Sequence, residues 1–103
     1  MSNAPAITSH EARLIAEMMA RDWWGVGPAE GDVLSKDMME VDGTRMFFLK
    51  VGFPGNDSDL FANGVYVVSP HGEVRTFERI AYNSDDAWEV IQRMEGYFKR
   101  NST

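Results

Sequence analysis

The chain has 103 residues, 44% hydrophobic and 25% charged, values that place it among single globular domains with one core. Sixteen acidic residues oppose ten basic ones, a net charge of −6, and that balance argues against a basic face that would hold a phosphate backbone. The lack of cysteine excludes disulfides, thiolate metal sites and cysteine nucleophiles, and no apolar run approaches the ~20 residues needed to span a bilayer.

Residues 1–6, Met-Ser-Asn-Ala-Pro-Ala, carry neither the basic nor the apolar region of a signal peptide, so a cytoplasmic protein with a disordered N-terminal tail is expected. A helix should start at Thr8. Thr8 can cap, Glu11 stands at capping-box spacing, and Ile7 and Ala12 sit where a hydrophobic staple places them. Ala12, Ile15, Ala16, Met19 and Trp23 form one apolar stripe. Arg13, Glu17 and Arg21 lie off it at ion-pair spacing. Gly25-Val26-Gly27-Pro28 ends the helix. Adjacent helical tryptophans point about 100° apart, so Trp23 and Trp24 cannot both face one core, and Trp24 is the candidate for partner contact.

Residues 31–41 read as a weaker strand, joined through Asp42-Gly43, a strong hairpin signal, to a strand over residues 45–53. Phe47, Leu49, Val51 and Phe53 alternate onto one face of it, and Met46, Phe48 and Lys50 onto the other, which must be partly covered or used for contact. Residues 54–63 read as a polar loop. Asn56, Asp57 and Asp59 there lack the twelve-residue ligand pattern of a calcium loop. Residues 65–69 and 74–80 form the central hairpin about a turn at Pro70, His71, Gly72 and Glu73. Asn83 or Ser84 then caps a second helix. Its stripe is Ala87, Val90, Ile91, Met94, Tyr97 and Phe98, with Asp85 and Asp86 in the first turn and Lys99 and Arg100 in the last. Residues 101–103 should fray.

The expected fold is α+β, one domain over residues 1–103. A four-stranded antiparallel sheet carries the N- and C-terminal helices on one face, in the order α-β-β-β-β-α. The core set is Ile15, Met19, Phe47, Leu49, Val51, Val65, Val67, Val90, Ile91, Met94 and Phe98.

Little here points to catalysis. His10 and His71 are at no metal-ligand spacing, Ser69 beside His71 lies in a turn without a nucleophile-elbow pattern, and Gly25-Val26-Gly27 lacks the lysine of a P-loop. No metal and no cofactor is implied. Charge placement is more informative. Residues 22–59 hold eight acids and three bases: the acids are Asp22, Glu30, Asp32, Asp37, Glu40, Asp42, Asp57 and Asp59. Such a surface steers a basic partner. The expected partner-binding residues are Trp24, Asp37, Glu40, Asp42, Asp57, Asp59 and Phe61.

Four stretches also resemble a known family. They are Ile-Thr-Ser-His-Glu-Ala at residues 7–12, Phe47-Phe48, Asn63-Gly64-Val65-Tyr66-Val67-Val68 and Gly72-Glu73-Val74. Together, over roughly residues 7–98, the chain resembles immunity protein 35, a family of small bacterial proteins that neutralise polymorphic toxins. A glycine-tryptophan often precedes that family's phenylalanine strand; Thr44-Arg45-Met46 stands there here. The resemblance implies a non-enzymatic inhibitor, monomeric or homodimeric, whose partner is a protein, a basic toxin domain, rather than nucleic acid or membrane. It carries no catalytic motif over. The "hydrophobic strand, turn, Gly-Glu-Val" pattern also looks like PepSY domains. That leaves an inhibitory or small-ligand-binding module as the alternative, and a small enzyme with a groove near Trp23 and Trp24 behind it.

Overall fold

The computed structural model of the chain describes residues 6–25, 31–52, 56, 59–82 and 84–101. Residues 1–5 of the tail expected over 1–6, the break residues Val26, Gly27 and Pro28, the acids Glu30 and Asp57, Phe53 and Asn83, and residues 102–103 of the expected frayed end lie outside the described residues.

The first helix, α1, spans Ser9–Trp24 and opens with the capping box read from sequence: Thr8 N–H donates to Glu11 Oε1 (2.9 Å) and Glu11 N–H to Thr8 Oγ1 (3.1 Å). Gly25 closes it in the left-handed region, φ 67°, which costs glycine nothing. Strands β1 (Leu34–Val41) and β2 (Thr44–Leu49) follow. Asp42 and Gly43 join them with φ of 47° and 85°, positive at both central positions as a twist-matched two-residue hairpin requires. Strands β3 (Phe61–Ala62), β4 (Val65–Val68), β5 (Val74–Phe77) and β6 (Ile80–Ala81) precede helix α2 (Asp85–Asn101). Ser84 caps α2: its Oγ accepts from Ala87 N–H (3.1 Å).

The main sheet is antiparallel and four-stranded, in the order β1-β2-β4-β5, with β1 and β5 at the edges. The expected strand over residues 74–80 is broken at Glu78 and Arg79, where Arg79 takes φ 49°. Its far end, β6, pairs with β3 in a separate two-stranded ribbon, within the stretch read as loop. The strand expected over 45–53 ends at Leu49, and Val51 is exposed rather than in the core.

The helices lie on opposite faces of the sheet, which corrects the one-face arrangement. Phe47, Leu49, Tyr66 and Val68 pack with Ala12, Ala16 and Ala20 of α1. Met46, Phe48, Val65 and Val67 pack with Ala87, Ile91 and Phe98 of α2. The register pairs Met46 with Val67 and Phe48 with Val65, so Val65 and Val67 belong to the α2 side, away from Phe47 and Leu49. The physical reason lies in the central strands. Met46-Phe47-Phe48-Leu49 and Val65-Tyr66-Val67-Val68 are apolar at every position, and side chains alternate across the sheet. A helix on one face alone would leave half of them in water, at about 1.5–3 kcal/mol for each large side chain. Two cores result, one on each side.

The apolar stripe of α2 faces its core as expected, with Ile91 fully buried. That of α1 does so in part: Ala12 and Ala16 are in the core and Ile15 packs against it. The row against the sheet is Ala12, Ala16 and Ala20, all fully buried, while Met19 is 39% and Trp23 76% exposed. The alanine row lets the α1 backbone approach the sheet closely. The charged row turns inward as well. Arg13 donates to the carbonyls of Ser35 (2.8 Å) and Leu34 (3.1 Å), and Arg21 to that of Gly31. The buried Glu17 Oε1 accepts from the N–H groups of Val33 (2.8 Å) and Leu34 (3.2 Å). These residues bind the backbone that leads into β1, and not one another as their spacing suggested.

Candidate protein-binding surface

The acids expected to meet a partner gather on β1, an edge strand of eight residues. Glu17 and Arg13 hold its first residues to α1. A bulge between Leu34 and Met38 follows, with Asp37 N–H donating to Ser35 Oγ (3.2 Å). Lys36, Asp37, Met38 and Glu40 are exposed along the strand, and Asp42 is exposed at its end. Bulge and charge together blunt an edge against pairing with another strand, so this edge offers side chains rather than main chain for recognition.

Glu40, Asp42 and Asp37 sit in different surroundings. Glu40 is directly opposite Arg45 and ion-paired with it (3.1 Å), while Arg45 also donates to the Ile7 carbonyl (3.2 Å). Asp42 reaches Lys99 of α2 (3.5 Å) and remains 72% exposed. Lys99 also meets Glu95 (2.8 Å), and the two carboxylates hold its ammonium above the ordinary lysine range. The negative charge of Asp37 helps burial raise the Tyr82 hydroxyl above its usual value. The Asp42–Lys99 pair is exposed on both sides and contributes little to stability, and the carboxylates of Glu40 and Asp42 both reach solvent.

The other expected residues separate. Asp59 is exposed, within the stretch read as a polar loop, and Asp57 is outside the described residues. Phe61 is half-buried, with the Arg79 guanidinium 4.8 Å from its ring centroid. Trp24 is half-buried against the α1-side core, next to Tyr66, whose hydroxyl burial pushes up and the Trp24 hydrogen bond draws back. Of the adjacent pair, Trp23 is the one that faces solvent. Helix geometry requires the pair to diverge; which one turns outward depends on the alanine row that α1 lays against the sheet.

A cleft of about 530 Å³ opens between the two β-turns and the end of α2, lined among others by Asp42, Thr44, Ser69, Glu73, Glu95 and Lys99. Its charged groups are engaged with one another or with the chain: Lys99 with Asp42 and Glu95, and Glu73 with Arg75 (2.5 Å). Ser69 Oγ accepts the N–H groups of His71 (3.2 Å) and Glu73 (3.0 Å), which makes it the organiser of the turn. Among the described residues no group of three histidines and carboxylates is placed to hold a metal ion, and no helix is long and apolar enough to cross a membrane.

Compared with protein-family models, with curated proteins and with solved structures, the chain matches none of them.

Proposed function

We propose that the protein is a non-catalytic protein-binding domain that captures and neutralises a basic bacterial toxin. The observation that carries this reading is the exposed edge strand β1, with Asp37 and Glu40 along it and Asp42 at its end, on a chain of net charge −6. The immunity-protein resemblance of residues 7–98 supports the toxin as the partner. A nuclease toxin needs a basic face to hold nucleic acid. An acidic edge draws that face in and covers it, raising the association rate more than the contact energy. Met38, 38% exposed in the middle of β1, supplies apolar contact beside the charges. Trp24 belongs to the fold, so Trp24→Ala acts on stability rather than on the partner.

The test is co-expression with the toxin encoded beside this chain, followed by association kinetics of the purified pair. Protection of the cells and a rate that falls steeply with salt are expected. The triple variant Asp37→Asn, Glu40→Gln, Asp42→Asn should associate at least tenfold more slowly at low salt, with a flatter salt dependence. Cells left unprotected, with no complex recovered, would refute the immunity reading.

A further inference from the structure

We propose that the cleft between the two β-turns and the end of α2 seats one arginine side chain of the basic partner, and that Lys99 holds that place in the free protein. This deepens the proposed function and rests on its basic partner. The cleft, about 530 Å³, falls within the range of ligand sites, roughly 300–1,000 Å³. Asp42, which closes the acidic edge, also lines the cleft, so the two surfaces are continuous.

The lining sets the sign of the ligand. Asp42, Glu73 and Glu95 face one ammonium, that of Lys99. Counting Arg75, which pairs with Glu73 from outside the lining, three acids still oppose two bases. Lys99 Nζ stands 2.8 Å from Glu95 and 3.5 Å from Asp42, so one cation reaches both carboxylates at once. The Lys99 side chain is 67% exposed, and such a pair holds a long side chain loosely. Glu95 Oε2, by contrast, is closed off from solvent. Lys99 is therefore a displaceable occupant of a fixed anionic site, free to swing into water when another cation enters.

The second observation is a hydroxyl. Thr44 is 1% exposed, lies on the α2 face of the sheet in line with Met46, and lines the cleft. Among the described residues no hydrogen bond engages its hydroxyl. Native folds rarely bury a polar group without a partner. A hydroxyl serves donors and acceptors alike, and the three carboxylates around this one select a donor. A guanidinium suits that set better than an ammonium. Its planar fork of five N–H groups serves Asp42, Glu95 and Thr44 together, and its weak hydration lets it lie against Phe98 of the lining.

Titration of the full chain with N-acetyl-L-arginine amide, followed by heteronuclear NMR, tests the cleft without the toxin. His71 is also in the lining, so the titration is run at about pH 8, where an ordinary imidazole is uncharged. Saturating shifts at the amides of Asp42, Thr44 and Glu95 are expected, with a dissociation constant of roughly 1–10 mM. The uncharged citrulline analogue should give none. Thr44→Val keeps the shape and removes the hydroxyl; binding should weaken about fivefold, with an unchanged or higher melting temperature. Lys99→Met removes the rival cation and should tighten binding about threefold. Weaker binding by Lys99→Met, or shifts of the same amides with inorganic phosphate, would make this an anion site and overturn the proposal. Full binding by Thr44→Val would overturn it too, as would free L-arginine binding about tenfold tighter than the amide, which would assign the cleft to the amino acid. Cells protected by a chain that ignores the arginine amide would end this proposal and leave the toxin reading standing. A response to the amide without protection would keep the cleft and remove the toxin.

Discussion

Replacing Glu17 by alanine should destabilise the domain by about 2–3 kcal/mol, although this residue reads from sequence as a surface charge on a helix. Its carboxylate is buried, and one oxygen accepts the backbone N–H groups of both Val33 and Leu34, at 2.8 and 3.2 Å. Val33 and Leu34 are themselves almost wholly buried, so neither N–H group has ready access to water. Each orphaned donor costs about 1–3 kcal/mol. Removing the desolvated carboxylate, whose second oxygen has no partner among the described residues, returns part of that. The net loss is a large share of the roughly 5–15 kcal/mol that holds a domain together. Glu17→Gln retains an acceptor oxygen and should lose about half as much. Urea unfolding followed by circular dichroism and tryptophan fluorescence measures both variants. Native-state hydrogen exchange should locate the damage, with the amides of Val33 and Leu34 losing protection while those of Val65–Val68 keep theirs. A loss below about 1 kcal/mol for Glu17→Ala, or equal losses for both variants, would refute the account of Glu17 as an acceptor for the start of β1.

Further outcomes can be measured on the same material. Ile91→Ala removes a fully buried side chain from the α2-side core and should cost about 2–5 kcal/mol in urea unfolding. Ala16→Leu places three extra carbons between α1 and Phe47 or Tyr66, and a loss of about 1–3 kcal/mol is expected; a neutral result would mean that α1 does not pack closely there. Burial raises the hydroxyls of Tyr66 and Tyr82 above the usual tyrosine value of 10.0. Both side chains are neutral below that value in folded and unfolded chain alike, so their share of stability is complete there and is lost as pH rises through the higher folded values. Ultraviolet titration should therefore show two late-ionising tyrosines, reduced to one by Tyr66→Phe. At the acid end the capping hydrogen bonds from Thr8 lower Glu11 below 4.5. Its share of stability is present above 4.5 and disappears as pH falls through the lowered value, so Glu11→Gln should flatten the acid limb of a stability profile.

Local chemistry decided the parts of the molecule that depend on a few neighbouring residues. Thr8 and Glu11 form their box wherever the helix goes, and Asp42-Gly43 turns the chain because those two residues tolerate positive φ. The stripe of α2, from Ala87 to Phe98, is apolar on one side and polar on the other, so it has one way to sit. The concentration of acid on residues 32–42 is likewise a property of the sequence, and β1 carries it to an edge. The tertiary structure decided what α1 does. That helix is apolar on two sides, with Ala12, Ala16 and Ala20 on one and Leu14 and Met18 on the other, Ile15 and Met19 lying between them, and periodicity weighs the larger residues more. Close approach to a sheet instead favours the smaller ones, and long-range hydrogen bonds to residues 31–35 fix the rotation. Trp23 is thereby exposed, Trp24 drawn in and Glu17 buried. The opposite placement of the helices follows from the unbroken apolar runs of β2 and β4, a signal visible in the sequence that acquires its meaning only when both faces of one sheet must be covered.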